Sequence, residues 1–510
     1  MTSQEVALTP LDRLDATLRL RRGLRLRIAC PSQEFSAEEM SFGVGRWLSS
    51  SRGLWETLEL SADHRLALIM VQAPAVGPDV EDYLLRLVPP GATSPADRRA
   101  RHALVELDDD SERHLSEKVL ANDRLIARLC RTLELADRTG HTLEGLACFA
   151  SSPRMAALAT ALGVPLLESD PRTLGWGHKS GSRQVFRAAG VPHPPGSYVA
   201  DHDVASLAAR LAALVRAHGP GRWMVKLDRG FGSGHGNALV DITTDRSDAI
   251  ERDLRTRLRP LGDGVRRSQF LQWLAETGAV TERHLDAAVQ PGGRQPSALA
   301  RLTPHSGQAA RVELLGVHDQ LVGDGGDYLG CRHPAASSYS GVARAQAHRV
   351  FTVLAARGVV GHVGVDFLPA SSAGTLFATE INIRQTGSTH PHRTVRAVLP
   401  EARSSSGELT GGDGHQICFR ATDTVIVPSC RGIEARHLIA ALRRSPRLAL
   451  DCHTGRGVVP HLWPALSRFG KIGVTAIGRS AVECDSLLTE FTALLERLGA
   501  ARRGTREDSA

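Results

Sequence analysis

Two carboxylates and an amide stand close together in the segment Asp366-Phe-Leu-Pro-Ala-Ser-Ser-Ala-Gly-Thr-Leu-Phe-Ala-Thr-Glu380-Ile-Asn382-Ile-Arg384. Apolar runs flank Ser371–Gly374, the pattern of a β-hairpin closed by a turn of several residues. Asp366 and Glu380 lie symmetrically about that turn. A register that follows the turn therefore brings the two carboxylates face to face, with Cβ atoms about 5 Å apart. Asn382 is two residues beyond Glu380 and shares its sheet face. Three hard oxygen donors at one spot suit Mg²⁺ that also bridges nucleotide phosphates, better than they suit zinc. The plainer alternative is a polar hairpin with solvated acids. Against it, Glu380 and Asn382 interrupt a strand that is otherwise apolar, where a charge must be paired or coordinated. Arg384 continues the same face and can fork onto a carboxylate or a transferred phosphoryl group; its alternative is an ion pair with Glu380.

A second stretch is basic and glycine-rich: Arg222-Trp-Met-Val-Lys226-Leu-Asp-Arg-Gly-Phe-Gly232-Ser233-Gly234-His235-Gly236-Asn-Ala-Leu-Val-Asp-Ile242. A dinucleotide-binding turn would open a helix after the glycines. Here Asn237 to Ile242 alternates as a strand, so the loop joins two strands and its amides can fold over phosphates. Lys226 lies inside the apolar strand before the loop, where an ammonium needs an anionic partner. Of 62 Lys and Arg residues only four are lysines, Lys118, Lys179, Lys226 and Lys471. Solvation is left to arginine, so lysines at chemically apt positions carry more weight.

A lysine strand, a Gly-rich strand-to-strand loop and a later D…E-x-N hairpin resemble the ATP-grasp superfamily of carboxylate–amine ligases. The resemblance is closer to the pheganomycin-type peptide ligases, through Lys179-Ser-Gly-Ser-Arg-Gln-Val-Phe-Arg-Ala-Ala-Gly190, Gly278-Ala-Val-Thr-Glu282, His318-Asp-Gln320, Tyr328-Leu-Gly-Cys and Glu380-Ile-Asn-Ile-Arg. It covers residues 170 to 395 or so and continues more weakly to about 480. The resemblance implies ATP and Mg²⁺ as ligands and an acyl-phosphate intermediate, with ADP and phosphate as products. Lys179, Lys226, the loop residues Gly232, Ser233, Gly234, His235 and Gly236, and Glu282 and Leu285 of the hinge strand are the implied ATP contacts. Asp366, Glu380 and Asn382 are the implied metal ligands, and Arg384 and Lys226 the implied catalytic groups. Arg311, His318 and His390 are candidates for substrate contact. His235 is bulkier than such a loop usually carries and bears on its closure. The implied partners are a small-molecule or peptide carboxylate and an amine, in peptide natural-product (antibiotic) biosynthesis. The alternatives are an ATP-dependent small-molecule kinase and a catalytically inactive ATP-binding regulator.

The elements that must position these groups follow from 510 residues with 42% hydrophobic and 23% charged residues, enough for about three domains. Alternating apolar runs (Leu24–Cys30, Leu66–Val71, Leu104–Leu107, Leu143–Phe149, Val164–Leu167) and helical stretches (Val80–Leu87, Glu112–Leu135, Pro153–Leu162) predict an N-terminal α/β domain over 1–172. Thr93 to Arg101 reads as loop. An ATP-grasp domain follows over 173–400, its lid at about 180–280 and its antiparallel catalytic sheet at about 281–400. The Ser/Gly-rich 401–415 reads as a linker, 416–500 as a small C-terminal α/β domain and 501–510 as a disordered tail. The fold class is α/β (α+β). The net charge of +7 raises nucleic acid as a partner, but with 4% aromatic residues, and basic residues near Arg25 alternating with Leu and Ile, no such partner is expected. Without a membrane-length apolar run or a signal-like start, the chain is expected to be cytoplasmic. Its eight cysteines lack paired or zinc-like spacing and read as reduced core thiols.

Overall fold

The computed structural model describes residues 9–36, 39–40, 45–89, 91, 93–230, 234–285, 294–305, 307–323, 328–370, 375–399, 401–405 and 407–507. Four parallel strands open the chain: β1 (Arg25–Ala29), β2 (Leu66–Gln72), β3 (His102–Glu106) and β4 (Thr142–Ala147), in the order β3-β2-β1-β4. Every residue of β2 is buried, as a parallel strand covered on both faces requires. On β1, Leu26 and Ile28 enter the core. Arg27 faces the other way, onto Glu144 at 2.7 Å and Glu59 at 2.6 Å. Val164–Leu167 supplies only a bridge, Leu166 to Leu146, rather than a strand. The expected loop at 93–101 is a helix over Pro95–Ala100, with Ser94 accepting from the Asp97 amide and Pro95 in the first turn, a start signal the sequence does carry.

The lid is a four-stranded antiparallel sheet of β5 (Gly221–Leu227), β6 (Asn237–Ile242), β7 (Arg259–Pro260) and β8 (Ala279–Arg283), ordered β7-β6-β5-β8. Helices Val204–His218, Ser247–Arg257 and Arg267–Thr277 bury its apolar face around Trp223, Val225 and Phe270.

The catalytic sheet comprises β9 (Arg294–His305), β10 (Gln308–Val322), β11 (Tyr328–His333), β12 (Gly361–Pro369) and β13 (Leu376–Asn382). After a short hairpin of β14 (Arg403–Ser405) and β15 (Glu408–Thr410), β16 (Cys418–Ile426), β17 (Gly457–His461) and β18 (Lys471–Gly478) join that same sheet. Its order is β13-β12-β9-β10-β11-β16-β18-β17. Helix Ser337–Ala356 packs on one face against Val363, Val365 and Phe367. Asp366, which alternates with these, therefore looks out on the opposite face, toward the N-terminal unit and helix Thr389–Val398. Glu59 ties that helix to β1, meeting Arg393 at 2.5 Å as well as Arg27.

Three expectations change on the C-terminal side. Strands β16 to β18 extend the catalytic sheet and share one hydrophobic core with Leu58, Met70 and Leu84 of the N-terminal unit. The expected linker contains the β14–β15 hairpin, whose Leu409 is 0% exposed. The last helix spans Ala481–Glu507, into the expected disordered tail. No helix among the described residues is long and apolar enough to cross a membrane. Leu409→Ala should cost about 2–5 kcal/mol by cavity formation. Urea unfolding checks this, because a residue in a solvated linker would change stability by less than about 0.5 kcal/mol.

Candidate active site

The hairpin that carries the acids pairs as the symmetry about its turn predicts, with Asp366 opposite Glu380 and Gly364 opposite Asn382. The turn itself, 371–374, lies outside the described residues. A bulge follows immediately, because Phe367 pairs with Ala378 and leaves Thr379 over. The Thr379 hydroxyl donates to the Asp366 carbonyl at 3.1 Å, which fixes the local twist that aims the two acids. Both Asp366 oxygens accept from amides, Oδ1 from Gln320 at 2.6 Å and Oδ2 from Asn382 at 2.9 Å. Burial, and then the neighbouring Glu380, push the Asp366 carboxyl up to about 6.

Glu380 goes the other way. Burial would raise it, but Lys179, whose Nζ lies 2.6 Å from Oε1, together with Arg384 and Lys226, holds it below the usual carboxylate range. Lys179 begins the helix Lys179–Ala188, whose start is tied to the lid. Its amide donates to the Asp228 carbonyl at 3.0 Å, and the Ser180 amide to Asp228 Oδ1 at 2.7 Å. The same helix docks on the hairpin through Ser182, whose hydroxyl accepts from the Ile381 amide at 3.1 Å. Gly181 lets the helix fold tightly back on the turn that precedes it, since a Cβ there would fall 2.0 Å from the Gly175 carbonyl.

On the lid, Lys226 is 8% exposed and pairs with Glu282 Oε1, while Arg183 Nη1 lies 3.0 Å from Glu282 Oε2. The anionic partner that Lys226 needs inside its strand is thus a protein carboxylate, Glu282. Register puts Lys226 opposite Val280 and Met224 opposite Glu282, so lysine and glutamate are diagonal neighbours on one face. A buried ammonium cannot wait unpaired. Glu282, expected at the adenine, is held between two cations, and Leu285 is half-buried just beyond the strand. Of the Gly-rich loop, Gly232 and Ser233 lie outside the described residues. Gly234 has φ +79°, a backbone state suited to glycine, and the Gly236 carbonyl accepts from the Leu227 amide at 2.8 Å. The bulk of His235 is accommodated by Gly262, where a Cβ would be 2.7 Å from the His235 Cα.

Arg384 makes no ion pair within 4 Å among the described residues, so the alternative pairing with Glu380 is not formed. It bridges to Ala150 of the N-terminal unit, lies 6.0 Å from the Phe35 ring centre, and is followed by Gln385, whose amide donates to the Phe149 carbonyl at 2.9 Å. Three of the expected substrate contacts are not gathered here. Arg311 is exposed, seven residues along β10 from His318, about 23 Å at strand rise. His318 is fully buried with its ring against His333 and His392. His390 is buried against His461. Gln320, Asp228 and Arg183 were given no role by the sequence. All three lie in stretches quoted above, but their roles come from contacts between distant segments, Gln320 with Asp366, Arg183 with Glu282 and Asp228 with the start of helix Lys179–Ala188.

Lys226→Met should destabilise the unliganded protein by about 1.5–3 kcal/mol, the worth of a charge-assisted bond lost from a buried carboxylate. Adding Glu282→Gln should recover most of it, because Arg183 keeps its other acceptors, the Ser197 and Pro194 carbonyls. Urea midpoints unchanged by the single substitution would show that the pair does not hold the lid.

Residues 174–263, which include Lys179, Lys226 and the loop, match the family model described as IQCH-like, ATP-grasp. The chain is 30% identical over 446 residues to the L-propargylglycine–L-glutamate ligase of Streptantibioticus cattleyicolor, covering 84% of this chain and 85% of that one. It is 24% identical over 361 residues to the IQ motif-containing protein H of Danio rerio, 60% of this chain and 32% of that protein. In three dimensions it resembles the Campylobacter jejuni biotin carboxylase, with a TM-score of 0.52, 11% identity, and coverage of 93% of this chain and 95% of that one. That likeness is one of fold alone. The first relative's identity and coverage carry the family: the chain belongs to the ATP-grasp superfamily and is an ATP-dependent carboxylate–amine ligase.

Proposed function

We propose that the chain joins the carboxylate of one amino acid or short peptide to the amine of another, as the name of its Streptantibioticus relative describes for that enzyme, in peptide natural-product assembly. The observation that carries the site assignment is the meeting of two lysines and two acids, each lysine paired with a carboxylate, at the junction of lid, catalytic sheet and N-terminal unit. Lys179 and Lys226 exchange these carboxylates for phosphate oxygens when ATP enters, and the loop amides add neutral donors to the same oxygens.

The donor set fits Mg²⁺. Asp366, Glu380 and the Asn382 side-chain carbonyl are hard oxygens on one face, and the two half-buried acids side by side carry a proton affinity that a dication would discharge. Bound there, Mg²⁺ would neutralise charge on the phosphates. The chain's own residues do the rest by positioning and charge. The substrate carboxylate attacks the γ-phosphorus, forming a P–O bond as the bond to ADP breaks, with Arg384 beside the oxygens being transferred. The amine then adds to the acyl phosphate carbon; the C–N bond forms, the C–O bond to phosphate breaks, and the amine loses a proton. Phe35 and the 148–150 backbone border Arg384, so the N-terminal unit lines the side from which the carboxylate arrives.

ADP release screened across paired amino acids, with mass spectrometry of products, should show turnover only when a carboxylate and an amine are both present. ADP formed with a phosphorylated product and no amine would instead make the enzyme a kinase. Glu380→Gln should abolish most turnover. It should also lower unliganded stability modestly near neutral pH, since Lys179 loses its carboxylate; because Glu380 is held below the usual carboxylate range, that contribution disappears as pH falls through the acid range. Because Asp366 takes up a proton near pH 6, Mg·ATP affinity should fall as pH drops through about 6. Titration calorimetry from pH 8 to 5 checks this, and a flat profile would take Asp366 out of the site.

A further inference from the structure

A second constellation lies under helix Thr389–Val398, away from the carboxylate hairpin. His390 from that helix, Asp423 from β16 and His461 from the end of β17 are 4%, 7% and 8% exposed. Their donor atoms converge: His461 Nε2 is 2.7 Å from Asp423 Oδ1 and 3.1 Å from His390 Nε2, and His390 Nε2 is 3.9 Å from Asp423 Oδ1.

Hydrogen bonding alone does not satisfy this triangle. In the neutral form that leaves a lone pair for a ligand, each ring has one N–H. If His461 Nε2 carries its proton, the bond goes to Asp423. The His390 proton then sits on Nδ1, a buried atom with no hydrogen-bond partner among the described residues. If His390 instead donates from Nε2, the His461 lone pair faces the Asp423 carboxylate at 2.7 Å, acceptor against acceptor. The His461 ring is also hydrogen-bonded to the Val459 backbone, an anchor of the kind that turns the opposite nitrogen's lone pair inward.

The geometry points to a divalent transition-metal site, Zn²⁺ by ligand type, held by His390 Nε2, His461 Nε2 and Asp423 Oδ1. A point about 2.0 Å from all three atoms exists within their triangle, and this is the Zn–N and Zn–O bond length. Arg52 pairs with the other Asp423 oxygen. Its charge repels a dication, but the pairing fixes how Asp423 is oriented, as outer-shell partners of metal ligands do. Beside the triangle is a cavity of about 10 Å³ lined by Ser51, Arg52, Trp55, His390, His461 and Trp463, room for roughly one water as a fourth ligand. Gly473, opposite His461 in β18, keeps the approach clear: a Cβ there would lie 2.1 Å from His461 Nε2. Such an ion would pin the helix that follows Arg384 to the C-terminal strands.

The test is equilibrium dialysis of the chelator-stripped full chain against micromolar Zn²⁺ or Co²⁺ in excess Mg²⁺, with elemental analysis and the visible Co²⁺ spectrum. One ion per chain is expected, with a low-symmetry Co²⁺ spectrum and a higher melting temperature. His390→Gln and Asp423→Asn should lose the ion, and His392→Gln, from the neighbouring cluster of His318, His333 and His392, should keep it. Wild-type protein that binds no ion overturns the inference whatever the variants do. So does an ion retained by His390→Gln, or one lost by His392→Gln alone, which would move the site to the three histidines.

Discussion

Everything at this site depends on two ammonium–carboxylate pairs, one buried and one half-buried. Lys179 with Glu380 joins the helix after the N-terminal unit to the hairpin of β12 and β13, and Lys226 with Glu282 joins lid strand β5 to the edge strand β8. Buried charges of either sign alone would be prohibitive, and paired they are tolerable. The pairing costs the enzyme little and leaves it poised, because a nucleotide triphosphate and a dication bring to each partner the charge it already has. On the proposed function, binding is then an exchange of ion pairs rather than a desolvation of bare charges. Asp366 is the unbalanced member. Its two amide donors do not offset burial beside Glu380, so the unliganded site retains an excess of acid for which a cation is the natural complement.

The large sheet lets these groups be placed independently. Glu380, Asp366, Ser297 and His318 are successive cross-strand partners on β13, β12, β9 and β10. One row of the ladder therefore runs from the paired hairpin acids toward the buried histidines. The opposite face belongs to the apolar contact with helix Ser337–Ala356. Continuing the sheet through β16 to β18 makes the C-terminal segment part of the catalytic platform, and the core it shares with the N-terminal unit closes the molecule around the site.

What could be seen in the sequence was what alternation and symmetry control. The Asp366–Glu380 register follows from counting outward from the turn, and Asn382 from period two, because hairpins are local. The lid loop is legible for the same reason. The partners of Lys179 and Lys226 are not, since Glu380 and Glu282 reach them only through the order in which distant strands assemble. His318 and His390 look like polar candidates in a linear reading. The fold instead buries them in imidazole clusters, because β10, β16 and β17 converge under one helix. The 401–415 segment misleads by composition: its serines and glycines read as linker, while the single apolar Leu409 is what packs.

The central claim is that ligand exchanges these ion pairs, and a crystal structure with Mg²⁺ and a non-hydrolysable ATP analogue tests it most directly. The account predicts Lys179 Nζ moved from its 2.6 Å contact with Glu380 onto phosphate oxygen, Lys226 likewise drawn from Glu282, and the ion coordinated by Asp366, Glu380 and Asn382. Bound nucleotide with both lysine–carboxylate pairs intact and the metal held elsewhere would contradict it.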